Sequence, residues 1–203
     1  MVGDDTAMSA LPALNVETVV KVGGSLLGNV SQLDTALAVL ARLSRERRLV
    51  VVPGGGPFAD AVREIDRRLE LTPTAAHWMA VLAMDQYGHL LVARLRGSVL
   101  VSRPSEIAAA VESRLLPVVA PSCWLREADP LPHSWDVTSD SIAAWIAGAL
   151  GAPRLVLVKA AGAVAGELVD PYFHRALPSG VASMIIPADR IEELALALHP
   201  GSV

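Results

Sequence analysis

A lone lysine interrupts an apolar run at Val19-Val20-Lys21-Val22, and a glycine pair follows at once, Gly23-Gly24-Ser25. Burying a lysine in a strand is costly unless something negative meets it, either a carboxylate or a phosphoryl group. The strand-and-glycine pattern returns without the lysine at Leu49-Val50-Val51-Val52-Pro53-Gly54-Gly55-Gly56-Pro57. Bare amides at such turns, backed by the positive ends of the following helices, suit phosphate oxygens. Neither stretch is a P-loop, because no glycine-lysine-serine follows four spacer residues. Tight strand-to-helix turns alone would account for either cluster. Two of them, one behind a strand lysine, point to phosphate.

A second polar cluster is Ser134-Trp135-Asp136-Val137-Thr138-Ser139-Asp140-Ser141. It stands at the mouth of a helix, with Asp140 in the first turn and Thr138, Ser139 or Asp140 available as its cap. Capping does not need both Asp136 and Asp140, so a carboxylate here is also suited to orienting Lys21 or a metal-bound triphosphate. Lys159 ends the strand Leu155–Val158 and either brings a second positive charge to the same rim or stands as a surface lysine. Arg63, on the helix after the triple glycine, either reaches a bound phosphate or is solvated beside Asp60 and Glu64. Trp124, His133 and Trp135 fall in a loop, where they serve as an aromatic wall for a small ring or cation or as anchors onto the sheet. His77 and Asp85 share a helix face and are candidates to line the pocket, while Trp78 reads as core. No histidine has suitable spacing to make His133 a metal ligand.

The elements that carry these residues alternate strand and helix. Strands are expected over residues 17–22, 49–52, 98–102, 115–120, 155–158 and 181–186, nearly all apolar, as parallel strands covered on both faces should be. Ser31 can cap a helix over about 32–48, and Pro57 opens a helix through Leu69. Thr72 or Thr74 starts a long helix to about Leu95. Further helices are expected over 104–112, 140–150 and 188–198, with an irregular loop over 121–135 and another over 160–180. Short connections between alternating elements imply a mostly parallel sheet between two helical layers. Residues 1–15 read as a loose tail before a single domain over 16–203.

The 203 residues are enough for one full core, and just over half are hydrophobic. A net charge of -4 argues against a nucleic-acid footprint. The single cysteine, Cys123, excludes an internal disulfide and a thiolate metal cluster, which fits a reducing cytoplasm. Residues 1–15 lack the basic start and apolar core of a secretory signal. Ile142 to Val158, the most apolar window, is broken by glycines and Pro153 and does not read as a membrane span.

Lys21-Val22-Gly23-Gly24-Ser25, Pro53-Gly54-Gly55-Gly56-Pro57, and the Thr138-Ser139-Asp140 helix start followed by Leu155-Val156-Leu157-Val158-Lys159 resemble the amino acid kinase superfamily over about residues 17–198. That group includes acetylglutamate, uridylate, carbamate and isopentenyl phosphate kinases. His133 to Ser141, Gly56 to Arg63 and Ala83-Met84-Asp85 are similar to its short branch of 5-(aminomethyl)-3-furanmethanol phosphate kinases of methanofuran biosynthesis, with relatives in one-carbon oxidation. The resemblance implies a three-layer αβα sandwich, usually oligomeric as a dimer or higher, with an acceptor half at about 16–125 and a nucleotide half at about 126–203. It implies ATP and Mg²⁺ as cofactors and a small phosphate acceptor, with no nucleic-acid or membrane partner. Catalysis would fall to Lys21, Asp140 and Lys159. Nucleotide phosphates would meet Gly23, Gly24, Ser25, Gly54, Gly55, Lys159 and Gly162. The acceptor would meet Gly55, Gly56, Arg63, Trp135, Asp136, Thr138 and Ser139. Many relatives carry a Thr-Asp-Val-Asp-Gly-type run after the strand that here ends at Val158, where this chain has Lys159-Ala160-Ala161-Gly162-Ala163. Two alternatives therefore stay open: a kinase of a uridylate, isopentenyl phosphate or acetylglutamate type of acceptor, and a non-catalytic nucleotide- or anion-binding homologue.

Overall fold

Thr18–Val22 is buried on both faces, and the β-branched run Thr-Val-Val forms the strand β1 at the middle of the sheet. The computed structural model of the chain describes residues 15–162 and 169–198. β1 pairs in parallel with β2 (Leu49–Pro53) on one side and β5 (Arg154–Lys159) on the other. With β3 (Ser98–Val101), β4 (Leu116–Val119) and β6 (Ala182–Pro187) the order is β3-β4-β2-β1-β5-β6, and every pairing is parallel. The chain moves to one side of β1 through β2 and to the other through β5. The carboxyl ends of β1, β2 and β5 therefore border the crevice where ligands gather in such sheets.

The helices follow in chain order as α1 (Val30–Leu43), α2 (Gly56–Leu69), α3 (Pro73–Arg94), α4 (Pro104–Glu112), α5 (Ser122–Ala128), α6 (Ser139–Ala149), α7 (Phe173–Ala176) and α8 (Glu193–Ala197). They cover both faces of the sheet, so the layered α/β expectation holds. One apolar cluster joins Val19, Val50, Val52, Leu155 and Leu157 to α6, and the other joins Val20, Val22, Val51, Val156 and Val158 to α1 and α8. Alternation along a strand decides which face each side chain takes. Lys21 has the parity of Val19, and Lys159 that of Leu155 and Leu157. Both lysines therefore turn toward the α6 face. α3 serves both clusters, Val81 and Met84 facing one, Tyr87 and Leu91 the other.

Several expectations change. α1 starts at Val30 rather than Gln32, because Asn29 and not Ser31 is its cap, accepting from the Gln32 amide at 3.2 Å. The expected loop over 121–135 contains α5, whose first turn is held by Asp85, which accepts from the Ser122 amide and hydroxyl. The expected helix over 188–198 is a 3₁₀ turn followed by the single-turn α8. The tail expected over 1–15 lies outside the described residues up to position 14. Among the described residues no helix is long and apolar enough to cross a membrane.

Candidate active site

Lys21 is only 4 % exposed, and its charge is met by a residue far along the chain. Its Nζ lies 2.8 Å from Oδ1 of Asp140, an ion pair whose approach is not aligned for a hydrogen bond. On the other oxygen, Lys159 Nζ donates to Asp140 Oδ2 at 2.6 Å. One buried carboxylate thus bridges two lysines that project from neighbouring strands. The carboxylate reading of Lys21 is met, and pairing with one carboxylate leaves an ammonium further protons to donate. Burial pushes the Asp140 carboxyl up, but the two ammonium groups outweigh it and hold it below the ordinary carboxylate range. Lys159 is shifted down, by burial first and then by the Lys21 charge, with Asp140 opposing.

The two glycine turns stand back to back beside this unit. A Cβ on Gly24 would lie 2.1 Å from the Gly56 nitrogen, and one on Gly54 would lie 2.5 Å from the Gly24 nitrogen. Gly56 also adopts a positive φ of 53°, a region that favours glycine. These glycines are required because two backbones touch, a reason the sequence alone does not reveal. The contact also limits which amides remain available. Gly23 donates to the Val158 carbonyl and Gly54 to the Val22 carbonyl, each at 2.9 Å, extending the sheet ladder. Among the described residues the amides of Gly24, Ser25, Gly55 and Gly56 donate to no other group. Of the glycines expected at phosphate, Gly23 and Gly54 have their amides committed to the sheet, while Gly24, Ser25, Gly55 and Gly56 keep theirs open toward the crevice.

Asp140 is fixed by the helix it opens. Thr138 occupies the cap position of α6 but its side chain does not cap. Asp170 does so from a distant loop. Its Oδ2 accepts from the Thr138 amide (2.9 Å), the Thr138 hydroxyl (2.8 Å) and the Ser141 amide (3.0 Å), and its Oδ1 accepts from the Ser141 hydroxyl. A carboxylate on free amides at the positive end of a helix is doubly favourable.

A cavity of about 570 Å³ opens from these groups. Lys21, Lys159, Gly23, Gly24, Ser25, Gly55 and Gly56 line it at one end, Arg63, Trp135, Thr138 and Ser139 along its walls. Of the residues expected at a ligand, Asp136 and Gly162 are exposed and do not line it, and Gly54 is buried beneath. Trp135 donates its indole N–H to Asp66 at 2.7 Å, and the Arg63 guanidinium lies 4.6 Å over its ring. Arg63 is therefore a pocket residue as well as a partner of Asp60 at 3.5 Å. His77 also lines the pocket, and burial, then the neighbouring His133, depress its pKa to about 4. Asp85 is occupied with α5, and Trp124 is buried in the core against Trp145 at 5.1 Å, so neither faces a ligand.

The profile of the amino acid kinase family matches residues 17–166, a span that contains the glycine turns and all three members of the Lys-Asp-Lys bridge. This chain belongs to that family. Over 139 residues it is 30 % identical to the [5-(aminomethyl)furan-3-yl]methyl phosphate kinase of Methanocaldococcus jannaschii, covering 68 % of this chain and 63 % of that relative's length. In fold it is similar to uridylate kinase from Archaeoglobus fulgidus, with a TM-score of 0.66, 13 % identity and coverage of 89 % and 96 % of the two chains. UMP kinase from Ureaplasma parvum gives a TM-score of 0.65 at 14 % identity, with coverage of 91 % and 96 %. The relative and these neighbours are kinases. Within this amino acid kinase chain, sequence reasoning missed Asp170, Asp66 and Ala80, the last two lining the cavity. Asp66 carried a readable signal, since it stands at helical spacing from Ala59 and Arg63. Asp170, in an Asp-Pro loop remote from α6, carried none.

Proposed function

We propose that this chain is a phosphotransferase that moves the γ-phosphoryl group of ATP to a small phosphomonoester, forming a diphosphate and ADP in the cytoplasm. The observation that carries this reading is the Lys21-Asp140-Lys159 bridge at the mouth of a cavity lined with free backbone amides. An acceptor phosphate oxygen forms the new bond to phosphorus as the bond to the ADP oxygen breaks. That oxygen is already largely ionised at neutral pH, so no general base is required. The chain's task is to hold two anions together and to neutralise charge in flight. Lys21 and Lys159 face that charge, and Asp140 keeps both ammonium groups on one side of the crevice. The amides of Gly24, Ser25, Gly55 and Gly56 cradle the remaining oxygens. Bound Mg²⁺ supplies further neutralisation on the triphosphate. Among the described residues no group of three His, Cys, Asp or Glu is placed to hold such an ion, and both Asp140 oxygens already face lysines. Such an ion would be held chiefly by the nucleotide's phosphates and water, with less help from protein carboxylates than is usual for Mg²⁺.

The finer reading takes the acceptor to be an aminomethylfuran-methanol phosphate, as in methanofuran-type cofactor biosynthesis. The similarity to the Methanocaldococcus jannaschii kinase supports it, as does the aromatic wall of Trp135 and His77. The test mixes the chain with Mg-ATP and a panel of phosphomonoesters and carboxylates, following ADP release and new diphosphate resonances by ³¹P NMR. Transfer to the ring phosphomonoester is the expected result. Transfer to a carboxylate alone would overturn the acceptor, and no ATP binding at millimolar concentration would overturn the reaction.

A further inference from the structure

His77 is a polar side chain only 8 % exposed, it lines the cavity, and among the described residues its ring nitrogens have no hydrogen-bond partner. Its neighbour differs. His133 stacks on it at 4.3 Å between ring centroids, yet both His133 nitrogens are engaged, Nδ1 with the Thr74 hydroxyl at 3.0 Å and Nε2 with Asp129 at 2.9 Å. Trp78 closes another side, edge-on to His77 at 5.0 Å. A buried group held by packing and left without a partner is completed by whatever enters the cavity. Burial and the adjoining His133 keep the His77 ring neutral at physiological pH against the pull of Asp129. One of its nitrogens therefore donates and the other accepts.

His77 stands at the end of the cavity away from the lysines. Tyr87, ten positions later on α3, donates its hydroxyl to the Gly23 carbonyl at 3.3 Å, so the histidine lies about 15 Å further along the helix axis. Asp66 is likewise ten positions beyond Gly56 on α2. Between the two ends α3 offers Ala80, Val81 and Met84. The distal end is the more acidic one. Among the described residues the Asp66 carboxylate accepts from the Trp135 indole and the Leu71 amide, and Asp129 adds a carboxylate behind His133. Two cations stand at this end as well, each set on a ring face, Arg63 over Trp135 beside Asp60 and Arg126 over Trp78. Flat rings, the open nitrogens of His77 and a carboxylate at Asp66 held by neutral donors together favour a small planar group that carries a hydrogen-bond donor such as an amine.

We propose that His77 is the specificity-determining residue of the acceptor site, accepting a hydrogen bond from a primary amine on a small ring whose phosphate lies at Lys21. This rests on the phosphotransfer reading above, and the test separates the two. Steady-state kinetics compare a ring phosphomonoester bearing an aminomethyl arm with the same compound bearing methyl. The wild-type chain is expected to prefer the amine by at least about tenfold in kcat/KM, the scale of one hydrogen bond to a charged group. His77→Phe keeps the stacking but loses both nitrogens, so that preference collapses toward unity through KM with kcat little changed. His77→Gln, which restores an acceptor, recovers part of it and serves where the phenylalanine variant does not fold. A preference undiminished in these variants overturns the proposal. If the wild-type chain phosphorylates neither compound, the phosphotransfer reading fails by itself, and NMR of the histidine ring decides the rest. A His77 shift caused by the amine compound but not by its methyl analogue upholds the assignment. No shift with either one ends it.

Discussion

Replacing Asp140 by asparagine keeps the shape of the side chain and removes the charge shared by two lysines. The contacts at 2.8 and 2.6 Å each represent roughly 6 kcal/mol of gross attraction at an effective dielectric of about 20. Removing three charges from water offsets much of this, and breaking a buried pair typically costs about 3–5 kcal/mol in total. Against a usual domain stability of about 5–15 kcal/mol, Asp140→Asn would leave a folded but weakened protein. The cause has a signature of its own, because two ammonium groups then face each other without a counter-charge. Adding Lys159→Met to Asp140→Asn should therefore regain about 1–3 kcal/mol in urea unfolding, a coupling outside ordinary additivity, while phosphotransfer stays lost. A single variant within about 1 kcal/mol of the parent, or a double variant no more stable than the single, would refute the bridge as the organising contact.

Lys21→Ala should lower turnover on the order of a hundredfold or more, as losing one charge stabiliser does, with circular dichroism unchanged; full turnover would remove the lysine from the mechanism. Gly24→Ala places a methyl 2.1 Å from the Gly56 nitrogen, and the turns must separate, with an expected loss of about 2–4 kcal/mol of thermal stability; a neutral change would contradict the back-to-back packing. The Asp140 carboxyl sits below its ordinary 3.8 in the folded chain, so its stabilisation is complete above that value and is lost as pH falls through the lower folded value. Acid unfolding followed by fluorescence should accordingly show a component below pH 3.8 that is absent in Asp140→Asn. Asp170→Ala removes the cap of α6 and should cost about 1–3 kcal/mol, with kcat falling more than KM rises because Asp140 is displaced; an unchanged kcat would separate the cap from the site.

What the sequence made legible was whatever strand parity and helix turns transmit locally. Lys21 shares the parity of Val19, so its face of the sheet followed once β1 was recognised, and Asp140 in the first turn of a helix was readable as its partner. Lys159 was harder, because a lysine at a strand end is also a common surface residue, and only the pairing of β5 with β1 brings it to Asp140. α5 was hidden because seven residues give too few turns for an apolar period, and its cap lies far back at Asp85. Which turn amides stay open was not legible at Gly23 and Gly54, because sequence shows which backbones are bare of side chains, not which ones the sheet ladder already uses. Asp170 was illegible for the same reason in another form: its partners are backbone groups of a helix with which it shares no local pattern.

The arrangement of α2 and α3 separates two tasks along the same pair of helices. Near Gly56 and Tyr87 they press on the back-to-back glycine turns, where a Cβ at Gly24 or Gly54 would strike backbone. Ten positions away, at Asp66 and His77, they border open volume. Under the proposed reaction, variation at the open end would change which molecule is accepted without disturbing the Lys21-Asp140-Lys159 end. For protein engineers this amounts to a fixed chemical head with an adjustable socket, and Arg63 and Ala80 mark where retuning should begin.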